Sequence, residues 1–265
     1  MEMVQILVLA AVQGLTEFLP ISSSAHLVLV PMIFGWPDQG LAFDVAVHVG
    51  TLGAVVTYFH RDLGKMTVDW VASLRAGQTV GDSRLAWGVM LATVPVALGG
   101  LALRWHDENL FRSPLVVAGA TVLFALLLWW ADRSGARARD EHHLNWRDIL
   151  VIGVAQVAAL IPGTSRSGIT MTAGLAMGLT RAAAARFSFL MAIPVIGLAG
   201  GVKAVDAWHQ QADTDWMALL LGIMVAWLTA SLCIHWFLKL LDRIGFLPFV
   251  IYRLVLGAGL FIHFA

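Results

Sequence analysis

The sequence predicts an all-α integral membrane protein. It reads as a single membrane domain over residues 1–265, with about six transmembrane helices and two re-entrant helix–loop–helix hairpins in an inverted-topology repeat. Three observations carry this. The chain is 59% hydrophobic and 13% charged, with a mean hydropathy of +0.79, whereas a soluble domain carries roughly 25% charged residues. Several apolar runs reach the ~20 residues that span a hydrocarbon core. Two short polar segments also interrupt the apolar sequence and look like copies of one another: 13–26, Gln-Gly-Leu-Thr-Glu-Phe-Leu-Pro-Ile-Ser-Ser-Ser-Ala-His, and 156–168, Gln-Val-Ala-Ala-Leu-Ile-Pro-Gly-Thr-Ser-Arg-Ser-Gly.

Taken in order, residues 1–34 form an apolar stretch broken by Pro20 and the hydroxyls that follow it. Spans are then expected near 43–60, 85–104 and 114–131. A second broken stretch covers 148–178, interrupted at Pro162, and further spans are expected near 187–205, 216–238 and 246–264. Connection charge sets the orientation. The connection 61–84 carries Arg61, Lys65, Arg75 and Arg84, and 132–147 carries Arg133, Arg137, Arg139 and Arg147. Arg181 and Arg186 lie between 178 and 186, and Lys239 and Arg243 lie between 239 and 245. By contrast, 206–215 has acids and no Lys or Arg, and 105–113 has only Arg112. Placing the basic connections in the cytoplasm gives a consistent alternation only if 148–178 both starts and ends there. By analogy 1–34 is re-entrant from the other side, with both termini outside. The repeats then cover about 1–131 and 148–264, and the Phe43 to Gly53 stretch has its counterpart at Phe187 to Gly197. In such folds broken helices converge near the midplane, on a binding site.

Several classes are excluded or disfavoured. The balance of 17 basic against 17 acidic residues leaves no nucleic-acid footprint. A lone Cys233 gives no internal disulfide and argues against a structural zinc site. Met1-Glu2-Met3 lacks a basic n-region, so no cleaved signal peptide is expected. The 11 tryptophans suit bilayer interfaces.

The polar segments hold the candidate chemistry. Pro20 and Pro162 precede stretches that read as helix starts, with Ser22 and Thr164 as candidate caps. A helix N-terminus offers free N–H groups to phosphate, and two facing N-termini suit a diphosphate. For Ser22, Ser24 and Ser167, capping and direct contact both stand. Ser23 and His26 lie three apart and share a helix face, the minimum for an activated nucleophile. Glu17, a carboxylate in an apolar hairpin, needs a cation, metal or water to hold it charged, or an ion pair with Arg166. Arg166, flanked by Ser165, Ser167 and Gly168, offers a bidentate phosphate fork. His48 lies mid-span, where it either faces the same cavity or is a hydrogen-bonded core residue. Asp44 near a span end reads as solvated, and Arg253 in the last span as snorkelling or paired.

At these residues the chain closely resembles the bacterial undecaprenyl-diphosphate phosphatase family, also called the bacitracin-resistance family. Its first motif, [E/Q]-G-x-T-E-F-L-P-x-S-S-[S/T]-x-H, is matched from Gln13 to His26, and its second, P-G-x-S-R-S-G, from Pro162 to Gly168 with Thr170 following. The stretch 43–51 also looks familial, so the likeness covers essentially the whole chain. The resemblance implies removal of the terminal phosphate of undecaprenyl diphosphate, regenerating the lipid carrier for peptidoglycan in the bacterial inner membrane. It also implies an inverted-repeat fold, a site facing the periplasm, and dependence on a divalent cation, Mg²⁺ or Ca²⁺.

Carried over by position, Glu17 is the motif carboxylate and a metal ligand, Ser23 the nucleophile, His26 its neighbour and Arg166 the phosphate clamp. Ser22, Ser24, Ser165, Ser167, Gly168, Thr170, His48 and Gln13 are the expected substrate-binding set. Gln13 stands where many members have a second Glu, so Glu17 must act without it. Attack by Ser23 and direct attack by water both stay open, as does the oligomeric state, a homodimer included. The rival reading is a transporter or lipid flippase, since broken helices in inverted repeats also serve alternating access. An unrelated type-2 phosphatidic acid phosphatase is set aside, because Ser-Ser-Ala-His has no accompanying Lys/Arg-rich motif.

Overall fold

The structure, a computed structural model, describes residues 1–104, 113–209 and 215–264. Of the connections read above at 105–113 and 206–215, residues 105–112 and 210–214 lie outside the described residues. Among the described residues there is no strand, and eleven α-helices form the protein. The first half holds α1 (Met3–Thr16), α2 (Ser23–Phe34), α3 (Gly40–Tyr58), α4 (His60–Ala76), α5 (Ser83–Arg104) and α6 (Pro114–Ser134). The second holds α7 (Trp146–Gln156), α8 (Arg166–Ala176), α9 (Arg181–His209), α10 (Trp216–Ile244) and α11 (Leu247–Phe264). Six of them, α3, α5, α6, α9, α10 and α11, are long and apolar enough to cross a membrane.

Local chemistry sets the helix ends. Asn145 and Asp148 cap α7 reciprocally, each side chain accepting from the other's backbone N–H at 2.9 Å. Asp215 caps α10, accepting from Ala218 N at 3.0 Å, and Pro114 opens α6. The expected spans are found with longer ends. Helix α9 begins at Arg181 rather than near 187 and α10 runs to Ile244, because charged turns extend helices past the apolar window that marks them.

One element differs from the expectation. The basic connection 61–84 contains a full helix, α4. Leu63, Met66, Trp70 and Ser73 lie on one face of it, with Met66 and Ser73 buried and Leu63 and Trp70 packed against the core. That spacing is an amphipathic stripe, hidden in a sequence read only for charge.

The four basic connections meet at one end of the bundle. Arg186 donates to Asp62 at 2.8 Å and also pairs with Glu141. Arg139 grips Asp148 with two bonds of 2.8 and 3.1 Å. Arg181 binds Asp132 at 2.6 and 2.9 Å and lies against Gly245. Lys65, 2.7 Å from Asp82, holds that carboxyl below the usual carboxylate range.

The broken segments keep their breaks. Helices α1 and α2, of 14 and 12 residues, are separated by residues 17–22 and contact one another. Helices α7 and α8, each of 11 residues, are separated by a short 3₁₀ turn and a loop, and also contact one another. At 1.5 Å per residue the longest of these arms reaches about 21 Å, short of a ~30 Å core. Helix α1 packs on α10, and α7 packs on α5.

Candidate active site

Both breaks are built alike. Ser22 and Ser165 precede α2 and α8 with φ of 72° and 69°, a left-handed conformation that costs a non-glycine residue about 1–3 kcal/mol. Each sits beside a second serine hydroxyl, Ser22 Oγ 3.3 Å from Ser24 Oγ and Ser165 Oγ 3.2 Å from Ser167 Oγ. Ser165, not Thr164, caps α8, accepting from Gly168 N at 3.2 Å, because the helix begins at Arg166, one residue later than a Thr164 cap implies. Ser22 makes no capping bond. Its hydroxyl is left to face a cavity.

The two loops are tied together from behind. Arg253, fully buried on α11, donates to Pro20 O at 3.3 Å in the first loop and to Gly163 O and Thr164 O at 2.9 Å in the second. Ser167 Oγ adds a bond to Leu19 O at 2.8 Å. Arg253 therefore neither snorkels nor joins an ion pair. Three carbonyl dipoles take its charge, and in return both breaks are held in one place.

Glu17 is the centre of the site. It is 8% exposed, and its Oε2 accepts from Ser23 Oγ at 2.6 Å and from Gln13 Nε2 at 3.0 Å. Its Oε1 accepts from Arg166 Nη2 at 3.1 Å, and His48 Nε2 stands 3.8 Å from Oε2. An ionised carboxylate only accepts, so Gln13 must turn its amide nitrogen inward. That leaves Gln13 Oε1 buried without a hydrogen-bond partner. Arg166 is steadied by Ser188: Nη1 donates to Ser188 O at 3.0 Å, and Thr170, bonded to Arg166 O at 2.9 Å, reaches Ser188 Oγ at 2.7 Å.

These groups surround a cavity of about 260 Å³ whose polar wall includes Glu17, Ser22, Ser23, Ser24, His48, Ser165, Arg166, Ser167 and Lys203. It adjoins a larger one of about 830 Å³, walled by Leu27, Val28, Met32, Val117, Leu260 and Phe264, with Asp44, His48 and Lys203 at its polar end. Asp44 is not simply solvated; Gln39 Nε2 donates to it at 2.8 Å. His48 lines the cavities and its Nδ1 donates to Asp44 O at 2.6 Å, but it is half-buried and not a core residue.

Not every expected residue meets the cavity. Gln13, Gly168 and Thr170 stand behind its wall. His26 does not reach Ser23: its Nδ1 donates to Ser22 O at 2.7 Å, and in the neutral ring Nε2 accepts from Tyr252 O–H at 2.5 Å. The two rings stack at 5.6 Å. Sequence spacing put Ser23 and His26 on one face, but Ser23 turns to the carboxylate of the preceding loop. Sequence reasoning missed Tyr252, Ser188 and Lys203. Lys203 alone left a signal, as a lysine inside an otherwise apolar span.

Chemically, this is a serine hydroxyl aimed at a carboxylate beside a guanidinium, at the starts of two helices and next to an apolar chamber. Fold and site together define an integral membrane protein with an intramembrane site suited to an anionic amphiphile. The chain belongs to the family described as "Bacitracin resistance protein BacA", whose model matches residues 6–259. It is 59% identical to "Undecaprenyl-diphosphatase 2" of Stutzerimonas stutzeri, covering 100% of this chain and 99% of that one. It is 60% identical to "Undecaprenyl-diphosphatase" of Nitrosococcus oceani, over 100% of both chains. A third relative of that name, from Thioalkalivibrio sulfidiphilus, is 57% identical over the same full length.

Proposed function

We propose that this protein hydrolyses undecaprenyl diphosphate to undecaprenyl phosphate and inorganic phosphate, returning the lipid carrier to peptidoglycan synthesis. The observation that carries the mechanism is the 2.6 Å hydrogen bond from Ser23 Oγ to Glu17. A carboxylate at that distance is in position to take the serine proton. Ser23 Oγ attacks the terminal phosphorus in line, its proton passes to Glu17, and the bond to the bridging oxygen breaks. Undecaprenyl phosphate leaves. Glu17 gives that proton up to the departing phosphate or to water, then takes one from a water that attacks the phosphoserine, and passes it to Ser23 Oγ as the P–O bond breaks, releasing inorganic phosphate and restoring the serine.

Arg166 and the first N–H groups of α2 and α8 offset the charge of the transferring phosphoryl group, which is most of what this reaction asks of a protein. Substrate phosphate draws Arg166 from its resting pair with Glu17 and so frees the base. His26, held between Ser22 O and Tyr252, is a positioning residue that fixes the strained Ser22 ahead of the nucleophile. The larger chamber takes the start of the prenyl chain.

A divalent cation fits the donor set. Among the described residues no three His, Cys, Asp or Glu side chains gather as a metal site. The Glu17 carboxylate, which lines the cavity, is however a hard oxygen donor, the type Mg²⁺ and Ca²⁺ take alongside substrate phosphates, and Gln13 Oε1, buried without a partner, lies on the residue that bonds it. When bound, such an ion would neutralise phosphate charge.

Two further readings complete the proposal. The matched strain at Ser22 and Ser165, and the packing of α1 on α10 echoed by α7 on α5, support an inverted repeat with two re-entrant hairpins. The basic end of the bundle supports a cytoplasmic side there, and with it the reading of both termini and the mouth of the site as periplasmic.

The test is phosphate release from undecaprenyl diphosphate by purified protein in detergent, with Mg²⁺, Ca²⁺ or EDTA. Wild type is expected to release phosphate only with a cation. Arg166→Ala is expected to lower kcat by roughly 10²–10³, as for loss of one charge-stabilising donor. A folded wild type that releases none would refute the reading.

A further inference from the structure

The two cavities share a short stretch of wall, and it is polar on one side. Ser24, His48 and Lys203 line both chambers. Among the described residues Lys203 is the single Lys or Arg that does so. Ser23, Glu17 and Arg166 line only the smaller chamber, while Leu27, Val28 and Met32 line only the larger. On the diphosphatase reading above, on which this inference rests, these two linings fix how the substrate must lie. Its terminal phosphorus meets Ser23 in the small chamber, and its hydrocarbon begins in the large one. The lipid-proximal phosphate, covalently between them, can only sit at the shared wall.

We infer that Lys203 is the recognition residue for the lipid-proximal phosphate, and so binds both the diphosphate substrate and the monophosphate product. An ammonium suits this place. It is a compact charge on a flexible stem that can follow the phosphate as the product withdraws, whereas the rigid fork of Arg166 suits the group being transferred. Its acidic neighbour is Asp44, which faces the same large chamber and interacts with it electrostatically. Gln39 donates to Asp44 Oδ1, and among the described residues no ion pair at hydrogen-bond distance joins Asp44 to Lys203. Lys203 is an exposed residue near the C-terminal end of the apolar window of α9, which closes at Val205, and there it lines both chambers.

Interactions made equally with substrate and product act on binding more than on the chemical step. The assay compares wild type, Lys203→Met and Lys203→Arg for hydrolysis of undecaprenyl diphosphate, with inhibition by undecaprenyl phosphate and by inorganic phosphate. Loss of one charge-assisted contact is expected to raise KM about tenfold in the Met variant, and the undecaprenyl phosphate inhibition constant by about the same factor. The change in kcat should be far smaller, and Arg should restore most of both constants. Inhibition by inorganic phosphate, which reads the terminal subsite, should shift by less than about twofold.

The inference is overturned if KM and the lipid-product constant stay at wild-type values in a folded Met variant. It is equally overturned if kcat falls while KM holds, or if inorganic phosphate inhibition weakens as much as that of the lipid. Direct binding of undecaprenyl phosphate to wild type and Lys203→Met reads the same subsite without turnover. It separates failure of this inference from failure of the diphosphatase reading.

Discussion

At the scale of single residues, the site turns on which partner Ser23 takes. Its hydroxyl goes to Glu17, while His26 is spent on Ser22 O and Tyr252. In the proposed mechanism the roles therefore separate, with Glu17 as the base and His26 as the brace. Ser23→Ala is expected to abolish phosphate release, and Glu17→Gln, close to isosteric, to lower kcat by roughly 10²–10⁴ as for loss of a general base. Acid quenching during turnover of undecaprenyl diphosphate labelled in its terminal phosphate should leave label on Ser23. Wild-type turnover by Ser23→Ala would remove the covalent step. Much of this constellation was legible in advance, since Glu17, Ser23 and Arg166 stand out as polar groups in apolar surroundings. Tyr252 and Ser188 were not legible. They come from α11 and α9, far along the chain, and nothing in their own neighbourhoods marks them.

At the scale of elements, the breaks matter more than the helices. A continuous helix would satisfy its own backbone. A broken one leaves free N–H groups, which must be buried in protein or turned to a wet cavity. Here Arg253 and Ser167 secure the loops and the cavity takes the helix starts. Holding short arms inside the bundle requires close approach. At Gly153 of α7 an added Cβ would lie 2.8–3.2 Å from backbone atoms of Ala92 in α5. Gly153→Val is therefore expected to cost at least about 1–3 kcal/mol through overpacking, with activity lost alongside. Gly197 in α9 meets nothing within 4 Å; Gly197→Ala should gain about 0.5–1 kcal/mol by helix propensity alone. Thermal unfolding in detergent reads both, and equal shifts would contradict the packing. Helix α4 was hidden for the opposite reason: its charges dominated the reading, and its stripe has only three apolar residues, Leu63, Met66 and Trp70, to show.

At the scale of the whole molecule, the ion pairs of the basic connections and the polar chamber give the bundle two unlike ends. Charge bias turns that asymmetry into an orientation. In a Cys233→Ala background, Asp38→Cys, in the exposed link between α2 and α3, should react with an impermeant maleimide in intact spheroplasts. Gln78→Cys, exposed between α4 and α5, should react only after permeabilisation. The reverse pattern would invert the topology. By itself the sequence determined the solvent this protein lives in, its six crossings, its two interruptions and the chemical types gathered there. These are local quantities, set by transfer free energy over some twenty residues or by a few neighbouring side chains. The tertiary structure decided what is non-local: that one buried arginine ties both breaks, that Ser23 answers to Glu17, and that Lys203 stands where the two chambers join. Hydrogen bonds and charges act over a few ångströms of space, and no spacing along the chain reports which distant residues will come within that reach.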